Sequence, residues 1–334
     1  MRLACTSVFS FDQRHEADAN GTPVRSTLNL VHDDPILAAY RQNLPLPTEA
    51  CPVLAAALRH VLDTPGSLIR MRVAYPMAMS FGMEPQAALD AATAIEYFHT
   101  ASLIFDDLPC MDDASQRRGA ICVHRAYGEH EAILAALALV NRAYALAWKA
   151  LVFSSSLKQA EAMEYVERLL GLGGLLSGQS RDLNFSRSAA TPESTTLVAR
   201  GKTVSLIRLS LVWPALVAGA KPRELQLLER ISLFWGLAYQ AADDLKDVLG
   251  NALASGKTVA RDALLERPNL AIELGTRATF ARLERLLMLG DESFQTLLRR
   301  HSSLGFLEQL RYGLDAEVAE LRSSALESQL GVGA

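Results

Sequence analysis

The sequence predicts an all-α fold, built as a large single-domain bundle of helices. Ala and Leu dominate a composition that is 50% hydrophobic, strand-forming β-branched runs are scarce, and apolar residues recur with a helical period along most of the chain. No linker rich in Pro, Gly or charge divides the 334 residues, so one domain is expected despite the length. Segments 132–146 and 203–219 are apolar on nearly every side, which is typical of inner helices.

Helical periodicity begins after about residue 30. Residues 1–30 are polar and aperiodic, and are predicted to be a poorly ordered lead-in to a helical domain at 31–334. Several predicted helices begin with proline in the first turn, as at Pro85 and Pro192. With boundaries uncertain by ~2–4 residues, helices are predicted at 48–62, 67–82, 85–107, 117–125, 130–154, 158–177, 194–220, 222–250, 262–272, 275–288, 292–300 and 303–327.

Charge, cysteine content and hydropathy exclude several classes of protein. The formal net charge of -4 provides no basic surface for nucleic acid. The four cysteines show no Cys-x-x-Cys spacing, so reduced thiols and a cytoplasmic location are expected. Acidic residues precede any long apolar core near the N-terminus, which argues against a signal peptide. Long apolar runs are broken by charge, as at Arg142, so no membrane span is expected.

A cluster of aspartates lies inside the apolar helical segment around residue 245. Asp243 and Asp247 are four residues apart and share one helical face, and Asp244 adjoins them. Like charges so placed repel one another and resist burial, so a cation must compensate them. Lys246 is turned away from that face, which favours Mg²⁺, a cation typically held by one or two carboxylates plus substrate phosphates. A solvated acidic face is the alternative that this cluster alone leaves open.

A second group of aspartates ends an apolar helix earlier in the chain. Asp106 and Asp107 close that helix, and Pro109 breaks the hydrogen-bond ladder so that Asp112 can curl back towards them. Two arginines follow at 117–118 and supply planar donor forks suited to phosphate. Two acidic clusters with arginines nearby indicate that a metal-bridged polyanion is bound, rather than two unrelated acidic surfaces exposed to solvent.

These motifs resemble those of the trans-isoprenyl diphosphate synthases. The stretch Ser-Leu-Ile-Phe-Asp-Asp-Leu-Pro-Cys-Met-Asp at 102–112 looks like that of short-chain farnesyl and geranylgeranyl diphosphate synthases, which carry two extra residues between the aspartates. The resemblance covers about residues 50–275, and its paired aspartate motifs are highly specific. The other motifs occur in the family's order: His99, Arg117-Arg118-Gly119, Gly178-Gln179-Ser180-Arg181-Asp182, Lys202-Thr203, Tyr239-Gln240 and Gly256-Lys257-Thr258.

The resemblance implies a bundle with a deep central pocket, normally a homodimer, that condenses isopentenyl diphosphate with dimethylallyl, geranyl or farnesyl diphosphate. It implies that about three Mg²⁺ ions are held around the allylic diphosphate by Asp106, Asp107, Asp112, Asp243, Asp244 and Asp247. Further ligands of that diphosphate would be Arg117, Lys202, Thr203, Gln240 and Lys257. The isopentenyl diphosphate site would comprise Arg70, His99 and Arg118, with Gln179 and Asp182 in support.

The sequence departs from the family at two positions. Family members usually carry Gly-Lys-Arg-x-Arg-Pro where this chain has Gly-Ser-Leu-Ile-Arg-Met at 66–71, and an aspartate is common where it has Leu137. Loss of charged contacts would weaken isopentenyl diphosphate binding by about 1.5–3 kcal/mol per charge-assisted hydrogen bond. Two alternatives therefore stay open: an enzyme that ionises and cyclises an allylic diphosphate without isopentenyl diphosphate, and, more distantly, a non-catalytic synthase subunit.

Product length is predicted from the helix that ends at Asp106. The growing chain should run along this helix, so residues one and two turns earlier would form the floor of the pocket: Ala101, Ser102 and Phe98. In the family, an aromatic residue at the position of Ala101 tends to stop growth at fifteen carbons. Ala101 therefore favours geranylgeranyl diphosphate, with Phe98 as a cap on further growth.

Overall fold

The computed structural model describes residues 34–185, 190–254 and 267–331 as helices joined by short turns, with one small hairpin. The all-α prediction is confirmed. The helices are α1 (Pro35–Gln42), α2 (Pro52–Asp63), α3 (Ile69–Ser80), α4 (Pro85–Asp106), α5 (Val123–Tyr127), α6 (Glu129–Ala150), α7 (Ser156–Leu170), α8 (Leu175–Leu183), α9 (Pro192–Ala199), α10 (Ser205–Ala218), α11 (Pro222–Ala254), α12 (Leu270–Leu274), α13 (Thr276–Leu298) and α14 (Phe306–Gly331). A π-helix (Arg200–Val204) joins α9 to α10, and a 3₁₀ turn (Ser302–Gly305) precedes α14.

Local sequence explains where several helices begin. Pro85 starts α4, and the Glu84 side chain accepts a hydrogen bond from the Ala87 amide at 2.9 Å. Thr191 and Ser194 form a reciprocal capping box at the start of α9. The predicted boundaries at these two helices are correct within two residues because proline and a capping side chain coincide there.

The interior of the bundle is built around α4. This helix packs most extensively on α6, and also on α3 and α10. In α10, Leu209 and Trp213 are fully buried, as expected of an inner helix. The similar prediction for 132–146 does not hold within one chain, where α6 buries one face and Leu137 on the opposite face is 51% exposed.

Two described helices have the length and apolar composition to cross a membrane, Glu129–Ala150 and the continuous run Pro192–Ala218. The bundle buries 44% and 67% of their apolar windows, respectively. Packing of this kind is also typical of core helices, so their composition alone does not indicate a membrane protein.

The predicted helix 117–125 is the clearest error. The chain forms a two-stranded antiparallel hairpin there, β1 (Gln116–Arg117) and β2 (Ala120–Ile121), before α5 begins. Arg118 and Gly119 link the strands with φ angles of 53° and 78°. Consecutive left-handed residues are typical of a tight hairpin turn and are incompatible with a right-handed helix.

Other boundaries differ for local reasons. The sequence did not indicate α1, and predicted helix 158–177 is interrupted because α7 ends at Leu170 and α8 begins at Leu175, with three glycines between them. Predicted helices 275–288 and 292–300 are one helix, α13. The lead-in at 1–30 and residues 262–266 of predicted helix 262–272 lie outside the described residues; the described part of that prediction is helical only from Leu270.

Candidate active site

A cavity of about 480 Å³ enters the bundle beside the C-terminal end of α4. Asp106 lines it at that end, and Phe98 lines it two turns deeper, about 12 Å along the helix axis. The charged and polar lining residues are Arg70, His99, Asp106, Asp112, Arg117, Glu167, Gln179, Lys202, Thr203, Gln240 and Asp243, and most of the remaining lining is apolar. The predicted central pocket is therefore present, with both aspartate motifs represented in its wall.

The first aspartate motif folds back on itself as the proline break predicted. The Asp112 amide donates to the Asp106 carbonyl at 2.9 Å, and the Ala114 amide donates to the Asp107 carbonyl at 3.2 Å. Asp113 takes a left-handed φ of 44° that reverses the chain. The loop thus places Asp106 and Asp112 together in the cavity wall.

Asp107 has a different position from its neighbour. Its side chain is 4% exposed, is not part of the cavity lining, and accepts a hydrogen bond from Arg117 Nε at 2.9 Å. Burial works against the charged form of Arg117, but the hydrogen bond and charge of Asp107, with the charge of Asp106, raise the pKa of the guanidinium above its usual value. Arg117 therefore stays cationic in the cavity wall, anchored by Asp107.

Cys122, next to this pair, is a buried thiol. Burial, followed by the charge and hydrogen bond of Asp107, raises its pKa to about 12. The thiol is protonated at neutral pH and is not a nucleophile. This agrees with a reaction that needs no covalent enzyme intermediate.

Lys202 enters the cavity from the π-helix Arg200–Val204. Its Nζ lies 2.7 Å from Asp182 Oδ2 and 3.8 Å from Asp106 Oδ2. Asp182, on α8, is 2% exposed and contacts Lys202 directly; its supporting role stays a prediction. The extra residue of a π-helix commonly marks a functional site, and here it presents two consecutive residues, Lys202 and Thr203, to the cavity.

Two glycines allow α8 and the π-helix to approach each other. A Cβ on Gly178 would lie 2.4 Å from the Lys202 amide nitrogen and 2.5 Å from the Gly201 carbonyl carbon. Gly201 is equally restricted, since its Cβ would lie 2.7 Å from the Gly178 Cα. This backbone contact sets the distance between Lys202 and Asp182.

The second aspartate motif is held by a chain of hydrogen bonds. Thr203 Oγ1 donates to Gln240 Oε1 at 2.6 Å, and Gln240 Nε2 donates to Asp244 Oδ1 at 2.9 Å. Asp244 is 1% exposed, and its Oδ2 accepts from the Leu270 amide at 2.9 Å. Asp243 is the member of this motif that lines the cavity, whereas Asp244 fixes α11 to α12.

Arg267 is a site residue that the sequence did not indicate. Its side chain is 8% exposed, and its Nη2 lies 3.0 Å from Asp112 Oδ1 and 3.3 Å from the Met111 carbonyl oxygen. Nη1 lies 3.7 Å from Asp182 Oδ2. Arg267 therefore connects the first aspartate loop to α8, and no recognised motif surrounds it in the sequence. Lys257 and its Gly-Lys-Thr motif lie outside the described residues.

Two of the three residues predicted to bind isopentenyl diphosphate lie on α3 and α4. Arg70 and His99 line the cavity and are 9% and 3% exposed. Burial, then the charges of Arg70, Arg118 and Arg117, hold the pKa of His99 well below its usual value, so the ring is neutral at pH 7. Arg118 lies outside the lining and is 3.8 Å from the buried carboxylate of Glu96.

The atypical Ser67-Leu68 pair is integrated into the bundle. Leu68 is 2% exposed and adopts a left-handed φ of 53°. Arg72 donates from Nε to the Ser67 carbonyl at 3.1 Å and forms an ion pair with Asp34. Arg72 is therefore occupied by Ser67 and Asp34 and does not replace the missing cations.

The apolar end of the cavity contains the three residues predicted to control chain length. Phe98, Ala101 and Ser102 all line it. Ala101 is 1% exposed, and the Phe98 ring lies 4.9 Å from the Tyr144 ring in an edge-on arrangement. Their effect on product length stays a prediction.

Residues 51–296 match the polyprenyl synthetase family. The chain belongs to that family. It is 34% identical over 259 residues to a geranylgeranyl diphosphate synthase from Pantoea ananas, covering 77% of this chain and 84% of the relative. It is 31% identical over 229 residues to a farnesyl diphosphate synthase from Geobacillus stearothermophilus, covering 68% and 75% of the two chains.

Solved structures of polyprenyl synthetase type share the architecture. A Helicobacter pylori geranyltransferase complexed with magnesium and isoprenyl diphosphate has a TM-score of 0.68 at 25% identity, covering 85% of this chain and 98% of the other. A Zymomonas mobilis FPP/GFPP synthase has a TM-score of 0.69 at 26% identity, covering 84% and 94%. The predicted isoprenoid-synthase fold and trans-prenyltransferase class are confirmed.

The donor set fits magnesium. Carboxylates of Asp106, Asp112 and Asp243 line one cavity and offer only hard oxygen ligands. Within 34–185, 190–254 and 267–331, no three His, Cys, Asp or Glu side chains are grouped closely enough to hold a metal by themselves. Mg²⁺ is usually held by one or two carboxylates together with substrate phosphates.

Proposed function

We propose that this chain is a magnesium-dependent prenyltransferase that condenses isopentenyl diphosphate with an allylic diphosphate to form geranylgeranyl diphosphate and release diphosphate. The observation that carries the proposal is one cavity with aspartates and fixed cations at its mouth and an apolar interior that starts at the small Ala101. The relative from Pantoea ananas, named a geranylgeranyl diphosphate synthase, supports the assigned product.

The mouth of the cavity would hold the allylic diphosphate. Asp106, Asp112 and Asp243 would hold Mg²⁺, which supplies positive charge to stabilise the departing diphosphate. Arg117 and Lys202 add cations that Asp107 and Asp182 already hold in place, so little reorganisation is needed as charge develops. We propose about three ions, with Asp107, Asp244 and Asp247 completing or orienting the ligand set.

The interior would protect the allylic cation and position the acceptor. Apolar side chains such as Leu206 and Leu170 exclude water, which would otherwise quench the cation. Arg70 and the neutral ring of His99 lie where the isopentenyl diphosphate would bind. A neutral imidazole serves there as a hydrogen-bond partner, leaving Arg70 as the cation that lines this part of the cavity.

A cyclising enzyme is the second candidate, because Leu68 is buried where the family usually has a charged side chain. The purified protein should be incubated with Mg²⁺ and farnesyl diphosphate, with and without isopentenyl diphosphate. A longer diphosphate formed only when both are present supports elongation. A hydrocarbon or alcohol formed without isopentenyl diphosphate supports cyclisation, and no product under either condition supports the non-catalytic subunit.

Restoring a lysine at position 67 should strengthen isopentenyl diphosphate binding. Ser67 is half-buried at the start of α3 and contributes its carbonyl, not its side chain, to Arg72. Ser67→Lys is therefore expected to lower the KM for isopentenyl diphosphate by about tenfold, the equivalent of one charge-assisted hydrogen bond. Steady-state kinetics at saturating farnesyl diphosphate measure this. Ser67→Met, of similar length but uncharged, is the control, and an equal effect of both variants would contradict an electrostatic cause.

Enlarging residue 101 should shorten the product. Ala101 is fully enclosed one turn before Asp106, so a phenyl ring there would fill the space below the substrate head. We expect Ala101→Phe to shift the main product from twenty to fifteen carbons when geranyl diphosphate is the substrate. Mass spectrometry of dephosphorylated products measures the shift, and an unchanged distribution would refute the assigned floor.

We also propose that the protein is a cytoplasmic homodimer. The outer face of α6 exposes Ile133, Leu137 and Trp148, which are 40%, 51% and 54% exposed, and Phe153 just beyond is 92% exposed. A contiguous apolar surface of this kind is typical of a protein–protein interface. Light scattering across a range of concentrations tests it, and a monomer at all concentrations would overturn it. The described cysteines are free thiols, which supports a reducing compartment.

A further inference from the structure

Glu96 is a buried carboxylate to which the proposed reaction gives no role. It lies on α4, one turn before His99, is 1% exposed and is not part of the cavity lining. Burial of a carboxylate is strongly unfavourable unless hydrogen bonds or opposite charges compensate it. The contacts of its two oxygens therefore indicate what the side chain does.

One oxygen of Glu96 caps the start of α3. Oε2 accepts a hydrogen bond from the Met71 amide at 3.1 Å. This amide belongs to the first turn of the helix, where backbone N–H groups have no partner within the helix. The N-cap residue is Leu68, whose side chain cannot accept a hydrogen bond. Glu96 thus provides from another helix the cap that α3 lacks, and it fixes the turn that carries Arg70.

The other oxygen of Glu96 faces Arg118. Oε1 lies 3.8 Å from Arg118 Nη2 and accepts no hydrogen bond from the residues that the structure describes. The guanidinium also packs closely on Gly66, since a Cβ there would lie 2.5 Å from Arg118 Nε and 2.9 Å from its Cζ. Arg118 is therefore held by a buried charge and by the backbone of the loop that precedes α3.

Two segments of the proposed isopentenyl diphosphate site meet at this carboxylate. The segment 66–71 carries Arg70, and the hairpin turn carries Arg118. The charges of both arginines act on the neutral ring of His99, so the three groups lie near one another. Because positions 67 and 68 carry no charge, binding depends on how accurately the two remaining arginines are placed.

We propose that Glu96 is a positioning residue for the isopentenyl diphosphate site, which holds Arg118 through its charge and Arg70 through the cap on α3. The inference rests on the proposed elongating function, because it concerns the second substrate of that reaction. A carboxylate near an anionic substrate repels it, so removal of the charge would strengthen binding if Glu96 had no positioning role. Positioning predicts the opposite sign.

Glu96→Gln separates these effects. The amide oxygen can still accept from the Met71 amide, but the charge that holds Arg118 is lost. We expect the KM for isopentenyl diphosphate to rise about tenfold, the equivalent of one charge-assisted hydrogen bond. The kcat and the KM for farnesyl diphosphate should stay unchanged. An unchanged or lower KM for isopentenyl diphosphate would overturn the inference.

A double-mutant cycle tests whether Glu96 acts through Arg118. Glu96→Gln should raise this KM in the wild-type background but not in Arg118→Met, where the guanidinium is already absent. Equal effects in both backgrounds would contradict the proposal. Gly66→Ala displaces the same guanidinium and leaves Glu96 intact, so it should also raise the KM. This variant decides the matter if Glu96→Gln does not fold, and an unchanged KM would then count against the proposal.

Glu224→Gln is the matched control. Glu224 is 6% exposed, accepts from the Lys221 amide at the start of α11 at 2.7 Å and pairs with His301 at 2.9 Å, but it does not line the cavity. It therefore has the same two kinds of contact as Glu96, away from the site. Its substitution should lower stability and leave the KM for isopentenyl diphosphate unchanged.

A binding measurement distinguishes this inference from the proposed reaction. Isopentenyl diphosphate is titrated calorimetrically into wild type and Glu96→Gln, each saturated with Mg²⁺ and farnesyl thiolodiphosphate. Binding that is about tenfold weaker in the variant supports the role of Glu96. Equal affinity would overturn that role alone. No binding by the wild type, together with no elongation, would overturn the proposed reaction and the positioning role with it.

Discussion

Asp243→Asn is expected to reduce diphosphate release from farnesyl diphosphate by about a hundred- to a thousandfold, the loss typical of removing one group that stabilises transition-state charge. The amide preserves the shape of the side chain but removes the negative charge that would bind Mg²⁺. Asp243 is the residue of the second motif that lines the cavity, so its charge is the one most directly placed to act there. A coupled diphosphate assay at saturating Mg²⁺ measures the effect.

The control for this substitution is Asp113→Asn. Asp113 adjoins the first motif, but its side chain is 55% exposed, pairs with Arg125 at 2.6 Å and does not line the cavity. Asparagine also accepts its left-handed φ of 44°. We expect near-wild-type activity for this variant. Comparable activity of Asp243→Asn and Asp113→Asn would sink the metal assignment.

Gly178→Ala is expected to destabilise the protein by about 1–3 kcal/mol and to lower activity beyond what the remaining folded fraction explains. Its new methyl group would stand 2.4 Å from a backbone nitrogen, at Lys202, and backbone cannot move aside as a side-chain tip can. Relief requires α8 and the π-helix to separate, which lengthens the 2.7 Å contact between Lys202 and Asp182. Urea unfolding and the kcat of folded enzyme are the two measurements.

Gly305→Ala provides the matched comparison. A Cβ at Gly305 would have no heavy atom within 4 Å, and its φ lies outside the left-handed region. The change should therefore alter stability by no more than about 0.5 kcal/mol. If both glycine variants unfolded at the same urea concentration with equal kcat, the close approach of α8 to the π-helix would not matter for the site.

Sequence reasoning succeeded where neighbouring residues determine the local structure. Pro109 cannot extend a helix, so the return of Asp112 to Asp106 followed from the residues alone. The family's motif order then placed both aspartate groups on one pocket, although the two motifs are far apart in the chain. That long-range pairing came from the resemblance, since spacing along a chain does not determine which helices meet.

The sequence could not make distinctions that depend on tertiary contacts. Asp243 and Asp244 are adjacent and chemically equal, yet only the packing of α11 against Leu270 turns one inward and the other to the cavity. Arg267 carries no local pattern that separates it from a surface arginine. The sequence predicts a helix across the Arg118-Gly119 turn because no residue pattern there indicates that the non-glycine Arg118 adopts a positive φ.

Leu68 makes the proposed acceptor site difficult to recharge by a single substitution. A leucine that is 2% exposed and held at a φ of 53° has become part of the core around α3. Returning an arginine by a single mutation would bury a guanidinium among apolar neighbours, at a cost of several kcal/mol, before any gain in substrate affinity. A charge is therefore better tolerated at the neighbouring, more accessible Ser67 than at Leu68.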